Sequence, residues 1–433
     1  MKKRLSQKKL ITNYEINKKY KKKYIILINK LRKKYKINYN PGYSNLVNFK
    51  ESKKLSVLNW FNYKQGYSSL LVDKILKENS AKKINKILDP FCGVGTTNFV
   101  ANKYKIKNCG LDINPVALLA AEVKNYSFNI NEINIINNLI NNFIPKKTKF
   151  IPRSKVLESS FDKRTFQNLL GIKGFWENIS NKPVKNFFQL AYISIIENCS
   201  NKIKDGNGIK YAPNKKPIKN IYNFFIDKTK TMLKEIKLNK KKSTFIEGSL
   251  LNKKIPKDFD LVIFSPPYAN CFDYFEVYKL EMWMGGFVKN YSDFDKYRSR
   301  ALRSHVNSKF DHTIKNYNKT VDTIAFLISS YNIWNKNIPD MVRGYFDDMN
   351  EIFRKLFYLM KKNSSCFVVV ANSGYKGVLV PTDLLFCQIS EKIGFKVKKI
   401  TVARKMRASS QQLLDLKINY QNMMRESILE LKK

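Results

Sequence analysis

The sequence predicts an α/β fold built on parallel strands. A strand–turn–helix–strand run over 84–124, a second apolar strand at 259–264 that ends against two prolines, and enough apolar residues for a large core are the grounds for it. The chain has 433 residues, of which 43% are hydrophobic and 13% aromatic, so one elaborated domain or two ordinary ones can be buried. Lys and Arg number 81 against 34 Asp and Glu, a formal charge of +47. Such an excess points to a polyanionic partner, although part of the lysine comes with the Lys-, Asn- and Ile-rich texture of the whole chain.

Residues 1–54 form a basic leader with an amphipathic helix expected around Tyr24 to Tyr35. A charge run of this kind reads as a solvated helix or partly disordered leader, or as an arm that touches the polyanion. The texture changes at Leu55. VLNWFNYKQGYSSLLVDKIL (57–76) sets Trp60, Phe61 and Tyr67 ahead of a helix capped at Ser68 or Ser69.

The next block, INKILDPFCGVGTTNFVANKYKIKNCGLDINPVALLAAEVK (84–124), reads as a βαβ unit. Ile84 to Leu88 is a buried strand, Asp89 to Gly95 a tight turn, Thr96 onward a helix, and Asn108 to Ile113 a second strand closing on Asp112. Gly93 and Gly95 let a ligand approach the backbone at the carboxyl ends of the strands, and a carboxylate 23 positions after Asp89 stands where ribose hydroxyls are bound. The spacing is not the GxGxxG of a pyrophosphate cradle.

In DFDLVIFSPPYANCFDYFEVYKLEMW (258–283), the strand Phe259 to Phe264 runs into Ser265-Pro266-Pro267-Tyr268. Two prolines fix φ and keep the preceding residue extended, so this turn is rigid. Tyr268 offers a stacking face for a flat heterocycle, and the Ser265 hydroxyl and Pro266 carbonyl can accept from its amino hydrogens. Withdrawing density from those N–H bonds localises the nitrogen lone pair for attack on an electrophilic methyl group.

DPFCGVGTT resembles motif I, and SPPY motif IV, of the DNA amino-methyltransferases. The resemblance covers about 57–433 and implies a Rossmann-like class I methyltransferase sheet, mostly parallel, of seven strands with a C-terminal antiparallel hairpin. S-adenosyl-L-methionine is the implied cofactor. Asp89, Pro90, Phe91, Gly93, Gly95, Thr96 and Thr97 would wrap its methionine end, Asp112, Ile113 and Asn114 its ribose, and Tyr67 and Ser68 of the motif X helix its carboxylate. STFIEGSL (243–250) resembles the strand before motif IV, with Gly248 and Ser249 near the adenine. SSCFVVVANSGYKGVLVPTDLLFCQISEKIGF (364–395) resembles strand five, a loop and its helix. KVKKITVAR (396–404) and ESILELKK (426–433) resemble the terminal hairpin, joined through RASSQQ (407–412).

Ser265, Pro266, Pro267 and Tyr268 would then hold a base flipped out of double-stranded DNA. A serine in first position is usual for cytosine N4, with adenine N6 and, further off, an RNA base as alternatives. Cytosine C5 chemistry needs a cysteine nucleophile after a proline, and neither Cys92 nor Cys271 fits. Insertions at about 130–242 and 286–340 of the 55–433 catalytic domain are expected to recognise the target. The second carries YRSRALRSH (297–305), where Arg298, Arg300 and Arg303 cluster in an arginine-poor chain and are candidates for DNA contact. Trp176, Phe187, Phe188 and Tyr192 of the first are expected as local core. A restriction–modification role beside a separate restriction endonuclease, a cytoplasmic location, and no metal or membrane partner complete the expectation, since the six cysteines form no CxxC pair and there are only two histidines, His305 and His312.

Overall fold

Alternation of apolar side chains along the strands decides where each layer of the molecule sits. The computed structural model describes residues 2–64, 66–206, 208–236, 243–308, 313–406 and 420–433. The central sheet contains β1 (Ile37–Tyr39), β2 (Lys86–Asp89), β3 (Lys107–Asp112), β4 (Thr244–Glu247), β5 (Phe259–Phe264), β6 (Met360–Ala371), β7 (Lys396–Lys405) and β8 (Arg425–Lys432). Their spatial order is β1-β7-β8-β6-β5-β2-β3-β4. Leu88, Val262, Phe264 and Val368 face a layer made by the helices Lys319–Ser329, Ile338–Leu359 and Thr382–Ile393. Their neighbours Ile87, Leu261, Ile263 and Phe367 face the helices Ser69–Glu78 and Thr96–Lys103. Strands buried on both faces are near-continuous apolar runs for this reason.

β2 pairs in parallel with β3 and β5, β3 with β4, and β5 with β6. Only β8 opposes its neighbours, lying antiparallel between β6 and β7. The expected hairpin is therefore present, and its RASSQQ connection lies outside the described residues. The sheet has eight strands where seven were expected. The extra one comes from the leader, where Ile37 pairs with Ile400, Asn38 with Thr401 and Tyr39 with Val402 at the β7 edge.

The leader helix Lys2–Lys34 is docked on the core as well. Tyr24, Ile28, Leu31 and Tyr35 recur at helical spacing and are buried in the same cluster as the sheet. The Tyr20 ring stacks on Phe326 at 4.0 Å. The Tyr24 hydroxyl donates to Leu379 O at 3.2 Å and accepts from Leu379 N at 2.9 Å. Lys18, Lys19, Lys21, Lys22, Lys30, Lys33 and Lys34 face solvent, so the high charge and the docking coexist.

The described part of the first insertion, 130–236, builds a second helical core. Ile130–Asn141, Lys163–Glu177, Lys182–Cys199 and Ile221–Lys234 pack on one another, and Lys182–Cys199 joins them to the helix Pro115–Asn125, with Trp176, Phe187, Phe188 and Tyr192 buried inside. No described helix is long and apolar enough to cross a membrane.

Replacing Tyr24 with Phe removes both hydrogen bonds to Leu379 from the buried helix contact. Urea unfolding should show a loss of about 1–3 kcal/mol. An unshifted midpoint would mean that the leader helix does not contribute to the folded core.

Candidate active site

β2 lies between β3 and β5, and the chain turns to opposite sides at these strands, so a crevice opens at their carboxyl ends. The loop after β2 supplies Pro90, Phe91, Cys92, Gly93, Val94 and Thr96 to one wall of the cavity there. Asp112 to Asn114 after β3, Gly248 and Ser249 after β4, and Ser265, Pro267 and Tyr268 after β5 supply the rest of its strand-end rim.

The Asp112 carboxylate ties two of these loops together. Oδ2 accepts from Gly93 N at 2.8 Å and Oδ1 from Asn114 N at 2.8 Å. Each oxygen keeps a further lone pair for a ligand hydroxyl. Gly93 has φ +50°, and a Cβ there would come within 3.2 Å of the Tyr63 ring, so this position needs glycine. Asn114 caps the next helix by accepting from Val116 N at 3.0 Å. Its Nδ2 is buried without a partner among the described residues. A buried free donor beside a carboxylate and a side-chain-free turn suits a polar, ribose-bearing ligand, and S-adenosylmethionine fits that description.

Some expected cofactor residues stand behind the wall. The buried Asp89 accepts from Tyr67 Oη at 2.7 Å and from Phe91 N at 3.1 Å, and Tyr67, which itself lines the cavity, also meets Thr97 Oγ1 through its hydroxyl. These groups set the shape of the loop. Ser68, expected at the cofactor carboxylate, is fully buried and caps the helix Ser69–Glu78 by accepting from Leu70 N. Gly95 has φ +77°, and its missing Cβ would sit 2.7 Å from Asn125 Nδ2 and 2.9 Å from Ala121 Cβ. Its missing side chain makes room for the helix Pro115–Asn125. Pro266 is buried.

At the other end, the rigid turn is braced from the distant hairpin. Ser265 Oγ lies 3.5 Å from Tyr268 Oη, which donates to Glu426 Oε1 at 2.6 Å, while Arg404 Nε donates to Glu426 Oε2 at 2.6 Å. A chain of donors running from Ser265 to Glu426 turns the serine proton away and leaves its lone pairs free to accept. Tyr375 Oη donates to Ala269 O at 2.7 Å and holds the segment just past the turn. Tyr274 and the stacked pair Tyr63 and Tyr278, with centroids 5.3 Å apart, add an aromatic side.

Of the three arginines, two are engaged inside the protein. Arg298 donates to Asp273 at 2.9 Å, and Arg303 to Asp347 at 2.9 Å and Asp348 at 2.6 Å, each guanidinium being half-hidden or more. Buried carboxylates need a permanent cation nearby, and these arginines provide it. Arg300 is the most exposed of the three, 3.6 Å from Glu247. Asn48, Phe49, Tyr63, Lys64, Leu302, Ser304, His305, Arg404 and Glu426 also line the cavity. Apart from Asn48 and Phe49 they lie in segments quoted from the sequence, as do Tyr274 and Phe275 in the SPPY segment, but none of them was singled out there as a site residue. Among the described residues no cluster of His, Cys, Asp or Glu is arranged to hold a metal.

Comparison with known proteins gives a concordant result. Residues 2–123 match the model of a DNA methylase family. The chain is 30% identical to Type II methyltransferase M.BsoBI of Geobacillus stearothermophilus, over 85% of this chain and 84% of that protein. It is 27% identical to Type II methyltransferase M.AvaI of a Nostoc strain, over 85% of each, and 22% identical to Type II methyltransferase M.MvaI of Kocuria varians, over 84% of this chain and 87% of that one.

Burial pushes the Asp89 carboxyl up to about 7 and that of Asp112 up to about 6, against hydrogen bonds that pull each down. The folded protein then holds protons that the unfolded chain has released, so unfolding releases protons and these groups lower stability as pH rises from about 4 to about 7. Asp89→Asn removes one of the two. Calorimetric melting should show its stability relative to wild type increasing from about pH 4 to about pH 7 and then levelling off. A pH-independent difference would contradict the buried, proton-holding carboxyl.

Proposed function

The chain belongs to the DNA amino-methyltransferase family, whose methyl donor is S-adenosylmethionine, and on that premise we propose that it methylates N4 of a cytosine flipped out of a specific DNA site. The observation that carries the proposal is the meeting of two loops in one cavity. The turn after β2 and the Ser265–Tyr268 turn after β5 come from adjacent strands and face the same space. One suits the methyl donor, the other a planar base.

S-adenosylmethionine supplies a sulfonium-activated methyl group when bound. Asp112 and Asn114 would hold its ribose, and Gly93 and Phe91 would border its methionine part. Ser265 Oγ and the Pro266 carbonyl accept hydrogen bonds from the two amino hydrogens, which concentrates electron density on the nitrogen. Tyr268, fixed through Glu426, stacks against the base. Such positioning and fixed dipoles are worth several kcal/mol because they need no rearrangement as charge develops. Serine at the first position of the motif supports cytosine N4; adenine N6 uses the same geometry and is the second reading.

The segments 130–242 and 286–340 are proposed to recognise the target sequence, with Arg300 as a contact. The +47 charge supplies the general attraction to phosphates. Likeness to Type II methyltransferases supports a modification role in a restriction–modification pair, alongside a separate endonuclease.

Mass spectrometry of digested DNA after incubation with S-adenosylmethionine should find 4-methylcytosine. 6-Methyladenine instead would move the target to the second reading. Tyr268→Ala should weaken base binding by roughly 1–3 kcal/mol, by analogy with aromatic stacking in single strands, while cofactor affinity persists. Ser265→Ala should lower the single-turnover rate with little change in DNA affinity, because its hydrogen bond strengthens as charge develops. Wild-type rates in both variants would remove this turn from the active site.

A further inference from the structure

His305 stands in the wall of the cavity that also contains Ser265, Pro267 and Tyr268. The residue is 3% exposed, and among the described residues neither Nδ1 nor Nε2 has a hydrogen-bond partner. Asp273 Oδ2 lies 3.9 Å from Nδ1. Two unpaired nitrogens at a buried site are unfavourable, and an apolar side chain would avoid the cost. A ligand that enters the cavity and pairs with the ring removes it.

The loop carrying His305 is held from both sides. Arg298 is bound to Asp273 and Glu276, and Arg303 to Asp347 and Asp348. Asn307 Nδ2 donates to Asp273 Oδ2 at 3.3 Å, and Arg303 N to Asp348 Oδ2 at 2.9 Å. The imidazole is thus fixed before any ligand arrives. Burial pushes it below its ordinary value of 6.5, with Asp273 pulling upward and Arg298 pushing downward, so the ring is neutral at neutral pH. A neutral ring has one N–H and one bare nitrogen. With Nδ1–H toward Asp273, the bare nitrogen is Nε2.

We propose that His305 is a further catalytic residue, whose Nε2 shares with Ser265 one of the two amino hydrogens of the target base and takes that proton as the methyl group arrives. The proposal rests on the assignment of Ser265 to Tyr268 as the base-binding turn. The amino lone pair forms the new N–C bond while the carbon–sulfur bond breaks with its electrons left on sulfur. The N–H proton moves to Nε2, the imidazolium is offset by Asp273, and the proton passes to water when the product leaves. The other charged groups at the cavity are already engaged, Arg404 with Glu426, Lys64 with the Lys204 carbonyl, and Asp112 with the Gly93 and Asn114 amides.

Single-turnover methyl transfer from labelled S-adenosylmethionine to unmodified phage DNA, followed across pH, tests this with the full-length protein. The wild-type rate should fall on acidification below an apparent pKa under 6.5. His305→Gln should lose on the order of 10²-fold at neutral pH and lose that acid limb, with cofactor and DNA affinity retained. In a His312→Gln variant, which leaves His305 as the sole histidine, the imidazole titration followed by NMR should match the kinetic pKa. This second measurement decides the matter if His305→Gln does not fold. A wild-type rate and profile in His305→Gln, or a mismatch of the two pKa values, overturns the proposal for His305. Absence of methyl transfer by the wild type would instead overturn the assigned function on which it rests.

Discussion

The parallel pairing of β2 with β5, Ile87 against Leu261 and Leu88 against Val262, is the contact on which the site depends. It sets side by side the ends of two strands that are far apart in the sequence, so the turn after Asp89 and the turn at Ser265 open into one crevice. The register is enforced by burial. Leu88, Val262 and Phe264 must enter one apolar layer and Ile87, Leu261 and Ile263 the other, and a slip by one residue would exchange the faces.

Once the strand ends are placed, two carboxylates fix the loops. Asp112 joins the loop after β2 to the helix after β3 through the Gly93 and Asn114 amides. Glu426 joins the proline turn to the C-terminal hairpin through Tyr268 and Arg404. Both sets of bonds are short and sit within or against the core. Groups that act on a developing charge are most effective when they do not have to move, and this bracing keeps them still.

The basic composition has a more mixed meaning than the charge alone conveys. The leader carries many lysines yet sends Tyr24, Ile28, Leu31 and Tyr35 into the main core and adds a strand to the sheet. That stripe, with spacings of four, three and four residues, is visible in the sequence, and the surrounding charge obscured it. Arg298 and Arg303 form internal ion pairs whose carboxylate partners, Asp273 and Asp347 with Asp348, lie up to 45 residues away along the chain. A local charge count cannot see such partners.

The sequence by itself determined the βαβ unit, the strand Phe259–Phe264 with its stiff turn, the terminal hairpin and the family, because each is written in contiguous residues whose periodicity or stereochemistry acts locally. Strand ends were legible to within about two residues at β2 and β3. Only the tertiary structure decided that Gly95 makes room for a neighbouring helix, that a strand from the leader widens the sheet, and that His305, Glu426 and Arg404 share a cavity with Ser265 and Tyr268. Those roles follow from which groups remain buried without a partner, or meet one across the sheet, and burial and partnership are set by residues distant in sequence.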